Sequence, residues 1–314
     1  MKRKYNFDEL ADKYGFSIRE IEKVCRISDQ LEDISAIKFL RDHLSLYGGT
    51  ALTFIYFEEI KRLSIDIDLN YRHQNARDWG KVRDEIDESI KDVLYRKGYN
   101  ESDIAISPTY PLVRLTVRYT NSLGSKDNFE IEIGYMRRIP ILKTDATATF
   151  LHIGTQESFP IKTPIKEELF ANKMCTLLYR GTPRDLFDVY QISTMNIDRE
   201  IFRKCAIVDS LMRGKPRLHK INLKDTIERI PLDSSLTNML QTENLEQLNF
   251  NELRNQTLAF CREILADLET NEIKAIDRFF DLKKFEPDMI DEQNIFHDKL
   301  KDHPAIKWAL NKLV

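Results

Sequence analysis

The period of the hydrophobic pattern changes once along this chain, and that change limits the fold more than any single residue does. Up to about residue 160, apolar residues alternate with polar ones in several short runs. From Ile165 onward strand signals nearly vanish, and helical spacing runs through 165–179, 183–195, 199–213, 222–230 and 251–266. Period 2 belongs to strands with one buried face, and a period near 3.6 to amphipathic helices. The expected fold class is α+β: a mixed β-sheet with helices over 1–160, followed by a mostly α-helical domain over 161–314.

Composition narrows the function. With 314 residues the chain has room for about two domains and a sizeable core. Hydrophobic residues at 42% and charged residues at 32% exclude a disordered or fibrous chain. The 48 basic against 51 acidic side chains leave a net charge of −3, which excludes a globally basic nucleic-acid coat. Any nucleic-acid contact must come from a local patch, and Arg203, Lys204, Arg213, Lys215, Arg217, His219 and Lys220 form the densest one; a solvated loop explains it equally well. Cys25, Cys175, Cys205 and Cys261 lie far apart with no CxxC pair, so no zinc knuckle is expected and reduced thiols in the cytoplasm fit best. No apolar run approaches the length of a membrane span, and the basic N-terminus lacks the apolar stretch of a secretory signal.

Local signals place the elements. Ser17 and Glu20 form a capping box that opens one or two helices reaching about Leu40. Leu44, Leu46 and Tyr47 read as a strand, Gly48-Gly49-Thr50 as a turn, and Ala51 to Phe57 as a helix face. Arg62–Tyr71 alternates strictly, with Ile65, Ile67 and Leu69 on one side and Ser64, Asp66 and Asp68 on the other. A polar helix over 79–98 follows, then a hairpin over 112–135 turning near Gly124, then short extended pieces over 141–161.

Asp66 and Asp68 are the sharpest chemical feature. Residues i and i+2 of a strand face the same side, ~6.6–6.8 Å apart. Two carboxylates so placed can hold divalent cations, which favour hard oxygen ligands and phosphate. An isolated D-x-D is also common on a solvated strand face. Gly48-Gly49 strengthens the pattern, because bare backbone at a helix start can approach phosphate oxygens, with Thr50 or Ser64 adding a hydroxyl. No Walker A signature is present. Glu130 and Glu132 form a second same-face acidic pair; Glu132 is the preferred third carboxylate.

In combination, Gly48-Gly49-Thr50-Ala51-Leu52 and Arg62-Leu63-Ser64-Ile65-Asp66-Ile67-Asp68-Leu69 resemble the AbiEii/AbiGii-like nucleotidyltransferase toxins of type IV toxin–antitoxin systems, relatives of the DNA polymerase β superfamily. Two later stretches extend the resemblance: Glu168 to Lys173, and Arg180 to Tyr190 with Arg184-Asp185 inside it. His303-Pro304 to Trp308 is similar to the family's C-terminal end.

The resemblance implies a nucleotidyltransferase-like first domain and a helical domain that contributes substrate-binding residues. It implies a metal set of Asp66, Asp68 and Glu132 holding Mg²⁺ or Mn²⁺, and a nucleotide set of Gly48, Gly49, Thr50, Ser64 and Lys173. Lys173 would face the triphosphate and Asp185 would orient substrate or a catalytic group. Bland readings stand beside these: Lys173 as a lysine extended from an apolar helix face, and Asp185 as the third residue of a helix capped by Thr182 with Pro183 first. The implied partners are a nucleoside triphosphate, tRNA as the favoured acceptor, and an antitoxin encoded nearby, with no membrane. A protein acceptor or the chain's own Ser64 stays open, as does a role in phage defence by abortive infection. The alternatives are a regulatory protein of the same fold that binds nucleotide without transfer, and a nucleotidyltransferase acting on a small molecule.

Overall fold

The computed structural model describes residues 3–73, 78–109 and 111–313, which form two compact units. The first comprises the chain up to Arg138 with Ala146–Thr163 and Met239–Glu246. The second comprises Ile139–Asp145, Pro164–Asn238 and the residues from Gln247 onward.

The first unit opens with helices α1 (Phe7–Tyr14), α2 (Ile18–Ala36) and α3 (Lys38–His43). Ser17 caps α2 by accepting from the Glu20 N–H, as the sequence pattern predicts. Strand β1 (Leu44–Tyr47) leads straight into a short helix α4 (Gly48–Ala51), which continues as a π turn over Leu52–Tyr56. The glycines therefore stand inside the first helical turn, not in a turn before it. Strands β2 (Asp66–Tyr71), β3 (Ile104–Thr109), β4 (Leu112–Thr120) and β5 (Lys126–Gly134) complete a sheet ordered β1-β2-β5-β4-β3, with α5 (Trp79–Arg96) between β2 and β3. Only β2 and β5 run parallel; the other neighbours are antiparallel.

One face of this sheet is core. Ile67, Leu69, Leu115, Val117, Ile131 and Ile133 are buried there, and α2 packs on β2 and β5 with Val24, Ile27 and Leu31. The opposite face carries Asp66, Asp68, Arg114, Arg118, Glu130 and Glu132, partly or fully exposed. This is the alternation expected of a sheet with one wet side.

Two departures from the sequence reading have physical causes. The alternating stretch begins pairing in the sheet only at Asp66, because Arg62, Leu63 and Ser64 are all buried. Those residues are held from outside the sheet: Leu63 N–H donates to Met239 O, Gln241 N–H to Lys61 O, and Arg62 bridges Leu240. Strand β3 was not among the expected strands; it lies at the sheet's edge, where Pro108, a residue without an N–H, is tolerated. The extended pieces over 141–161 resolve into a hairpin, β6 (Ala146–His152) with β7 (Glu157–Thr163), in which Pro160 faces Thr149.

The second unit is helical. α6 (Lys166–Arg180), α7 (Pro183–Ser193) and α8 (Arg199–Arg213) pack together, followed by shorter helices and the longer Phe250–Ala266 and Thr270–Leu282. Each of α6 and α8 ends on a glycine with positive φ, Gly181 and Gly214. No helix of the described residues is long and apolar enough to cross a membrane.

Candidate active site

The parallel register of β2 with β5 aligns Asp66 with Glu130 and Asp68 with Glu132. Neighbouring strands lie ~4.8 Å apart, so four carboxylates share one patch of the wet face. Like charges that close raise one another's energy unless a cation joins them. Part of that compensation is Arg114, aligned with Glu132 across β4–β5. Its guanidinium bonds Glu132 Oε1 at 2.5 Å from Nη2 and 2.8 Å from Nε, and reaches Glu130 Oε2 at 3.5 Å. These two glutamates, with a further pull from Asp66, raise the Arg114 pKa. Sequence reasoning missed Arg114; counting residues back from the Gly124 turn would have paired it with Glu132.

Gly48 closes the other side. Its φ of +74° is one that side chains rarely adopt, and an added Cβ would fall 1.8 Å from Asp68 Oδ2. Bare backbone therefore stands directly against the carboxylate. A Cβ at Gly49 would meet the Arg62 guanidinium and Ser64 Oγ, each at 2.8 Å. Behind the turn, Thr50 Oγ1 donates to the Asp66 carbonyl and lies 3.0 Å from Ser64 Oγ. Both hydroxyl residues are buried, so they brace the turn and the start of β2 rather than stand open to solvent.

Gly48→Ala is expected to place a methyl group on Asp68 in a strained backbone. Strain of this kind costs about 1–3 kcal/mol. A lowered melting temperature with transfer largely lost is the expected outcome; a variant that melts and transfers like the wild type would refute the close approach.

The donor set suits a hard cation. Asp66, Asp68, Glu130 and Glu132 offer only carboxylate oxygens, and the glycine backbone leaves space beside Asp68 that a Cβ would fill. Among the described residues the one group whose ligand atoms all lie within 4.8 Å of one another is elsewhere, Asp29, Glu32 and His152. There, however, Arg3 bonds both Asp29 and Glu32, and Lys97 lies 3.9 Å from Asp29, so the cluster is an ion-pair network.

In the helical unit, Lys173 and Asp185 meet. Asp185 Oδ1 accepts from Lys173 Nζ at 3.1 Å and Arg180 Nη2 at 3.0 Å; Oδ2 accepts from Arg180 Nε at 2.7 Å and Thr182 Oγ1 at 2.6 Å. Lys173 Nζ also lies 2.9 Å from Asp188 Oδ2. Both aspartates are fully buried and Lys173 nearly so. Burial pushes the Asp185 carboxyl up, but Lys173, Arg180 and Thr182 together outweigh it and hold it well below the usual carboxylate range. Thr182 does cap α7, accepting from the Asp185 N–H, with Pro183 first. The cap is real, and the cationic cage is an addition that capping alone does not require.

The basic stretch proposed for RNA is not a free positive surface. Arg203 bonds Glu269 and Glu272, Lys204 bonds Glu200, Arg213 bonds Asp209, and Arg217, His219 and Lys220 converge on Asp277. His303 is buried and structural: Nδ1 accepts from Ala305 N–H and Nε2 lies 3.0 Å from Ile139 O.

A mixed sheet bearing paired carboxylates beside a glycine-started helix belongs here to an enzyme of the nucleotidyltransferase class. Residues 30–311 match the family model described as nucleotidyl transferase AbiEii toxin, type IV toxin–antitoxin system. The chain belongs to that family of nucleotidyltransferase toxins. Among solved structures, MenT4, a nucleotidyltransferase toxin from Mycobacterium tuberculosis H37Rv, is similar in fold, with a TM-score of 0.64 at 16% identity over 99% of each chain. No curated protein matches the sequence.

Proposed function

We propose that this nucleotidyltransferase moves a nucleotidyl group from a nucleoside triphosphate to the 3′ end of tRNA. The observation that carries the reading is the β2–β5 register, with Asp66, Asp68, Glu130 and Glu132 on one face against the bare backbone of Gly48. In the reaction an acceptor hydroxyl oxygen bonds to the α-phosphorus, the bond from that phosphorus to the bridging oxygen of the β-phosphate breaks, and pyrophosphate leaves.

Asp66 and Asp68, with Glu132, would hold Mg²⁺ or Mn²⁺, which supplies positive charge at the transferred phosphate. Gly48 and Gly49 let backbone approach the nucleotide's phosphates, and Thr50 and Ser64 hold that turn in shape from behind. Lys173 is the phosphate-binding cation of the helical unit: its ammonium has three donors, of which Asp185 and Asp188 engage two. Asp185 holds that ammonium in place and oriented, a positioning role. Arg114 offsets the charge of Glu132 and Glu130 when the patch holds no cation.

tRNA as acceptor follows from the resemblance to toxins that modify the tRNA 3′ end. The buried position of Ser64 argues against transfer to the chain's own serine. The cellular role in this reading is growth arrest or phage defence in the cytoplasm, restrained by an antitoxin encoded nearby. Incubation with each α-labelled nucleoside triphosphate, divalent cation and total tRNA tests it. Label on tRNA, lost when the tRNA 3′ terminal hydroxyls are oxidised with periodate, is expected. Label on protein alone would overturn the tRNA assignment.

A further inference from the structure

The wet face of the sheet does not end at the carboxylates. Along β4 it continues from Arg114 through Thr116 to Arg118 and Thr120, and along β5 back from Glu130 through Asn128 to Lys126. Arg118 and Lys126 are exposed, and among the described residues no carboxylate pairs with either. That sets them apart from the basic stretch of residues 203–220, whose cations are mostly bound to acidic partners. At 3.3–3.4 Å per residue, Arg118 lies ~13 Å along the strand from Arg114, and Lys126 ~20 Å from Glu132. Lys126 Nζ donates only to the neutral Thr120 Oγ1, at 2.9 Å, so charge along this face is polarised, with acids at one end and cations not neutralised by a carboxylate at the other.

The basic end opens into a half-open cavity of about 440 Å³ lined by Arg26, Tyr99, Arg118, Tyr119 and Lys126. It is a built site. Arg26 is fixed by two bonds to Glu22 Oε1 at 2.7 and 3.0 Å, stands 4.1 Å over the Tyr119 ring and donates to Tyr99 Oη at 3.2 Å. Tyr119 is only 8% exposed, yet its hydroxyl has no hydrogen-bond partner. Tyr119 belongs to the core face of β4, so it walls the cavity from behind and is not part of the exposed face that carries Arg118. Asp103 also lines the cavity, with its carboxylate turned to the Asn100 N–H at 2.9 Å.

We infer that this face is the track for the acceptor RNA: the single-stranded 3′ end lies along β4 and β5, its terminal hydroxyl at the carboxylates and its upstream phosphates on Arg118, Lys126 and the cavity at the hairpin tip. The inference rests on the RNA-acceptor reading above and adds which surface holds the strand. Exposed guanidinium and ammonium groups supply sequence-independent phosphate contacts. The length of the face suits the last few nucleotides of an unpaired end, and the neighbouring acids keep phosphates from settling where the hydroxyl must react.

The test compares the wild type with Arg118→Ala/Lys126→Ala and with the charge-preserving Arg118→Lys/Lys126→Arg, all as full-length chains, using unmodified tRNA transcripts. Binding is measured against salt concentration, and nucleotide affinity separately. Each lost phosphate contact on a single strand lowers the log–log salt slope by ~0.7, so the alanine pair should lower it by ~1.4. RNA affinity at low salt should fall several-fold, nucleotide affinity should stay within about twofold, and the charge-preserving pair should bind RNA like the wild type. An alanine pair with the wild-type slope and affinity, or a charge-preserving pair that loses RNA equally, overturns the track. If the wild type itself labels no RNA, the acceptor reading fails instead; wild-type RNA labelling with an unaffected alanine pair fails the track alone.

Discussion

Asp66→Asn is expected to abolish nucleotidyl transfer while leaving the melting curve near that of the wild type. Asp66 is a wet-face residue of β2, half-buried beside its register partner Glu130, so its carboxylate is not what packs the core. Asparagine keeps the shape and the strand, and removes the charge that a divalent cation and a phosphate-rich transition state require. The loss should be at least ~10²-fold, the scale observed when one preorganised electrostatic contact to a transition state is deleted. Stability should move little, because removing one of four crowded carboxylates relieves repulsion. Asp68→Asn should behave alike. Single-turnover transfer from an α-labelled triphosphate, with a melting curve as control, decides it. Transfer at the wild-type rate in either variant would remove that residue from the metal set.

The second large effect lies in the helical unit. Asp185→Ala is expected to destabilise the protein by up to ~3–5 kcal/mol, the scale of breaking a buried ion pair, with Asp188 still holding Lys173. The loss of the α7 cap accounts for only ~1 kcal/mol of this. The cause is the cage: Lys173 is nearly buried, and Asp185 is one of the two carboxylates that hold its ammonium. Linkage gives a pH dependence with a defined sign. The folded-state pKa of Asp185 is depressed, so its contribution is fully present above the unfolded carboxylate range near 4. It is lost progressively as pH falls through that range toward the folded pKa. Below about pH 4 the stability gap between wild type and Asp185→Ala should therefore shrink. Urea melts of both proteins at pH 7 and pH 3.5 test this, and a gap unchanged between the two pH values would refute the ion-pair account. Function separates the two readings of the residue. As a positioning residue, Asp185 should leave nucleotide affinity within a few-fold while transfer falls sharply at saturating nucleotide, a split that loss of stability alone does not produce. If transfer by the folded fraction is normal, Asp185 serves the helical fold only.

The legible parts of the site were those written in short stretches. Ile65-Asp66-Ile67-Asp68 announces its own face, because successive residues of a strand point to opposite sides. Thr182-Pro183-Arg184-Asp185 announces a helix start by its capping chemistry, and the structure carries that cap. The double glycine marked a stretch of bare backbone, expected to face phosphate; the contact the structure gives it is with Asp68. What lay out of reach was every relation over distance. Neither the neighbour of β2, contributed some sixty residues later, nor the inward turn of Thr50 and Ser64 follows from local spacing. The same holds for the basic residues 203–220, whose acids lie mostly on the helix Thr270–Leu282 and near it.

The sequence by itself determined most of the strands and helices, though not β3 or where β2 starts, together with which side chains share a face and where two helices begin. Backbone geometry imposes these periods within a handful of residues, whatever the rest of the chain does. Only the tertiary structure decided that β5 runs parallel beside β2, so that Glu130 and Glu132 stand across from Asp66 and Asp68, with Arg114 set over the glutamates. It alone decided which cations are neutralised by carboxylates and which, like Arg118 and Lys126, are not. Strand order is chosen by burying Ile67, Leu69, Ile131 and Ile133 under α2, and charge pairing follows from where that burial leaves each side chain. Both are sums over contacts distant in the chain, and no local pattern contains them.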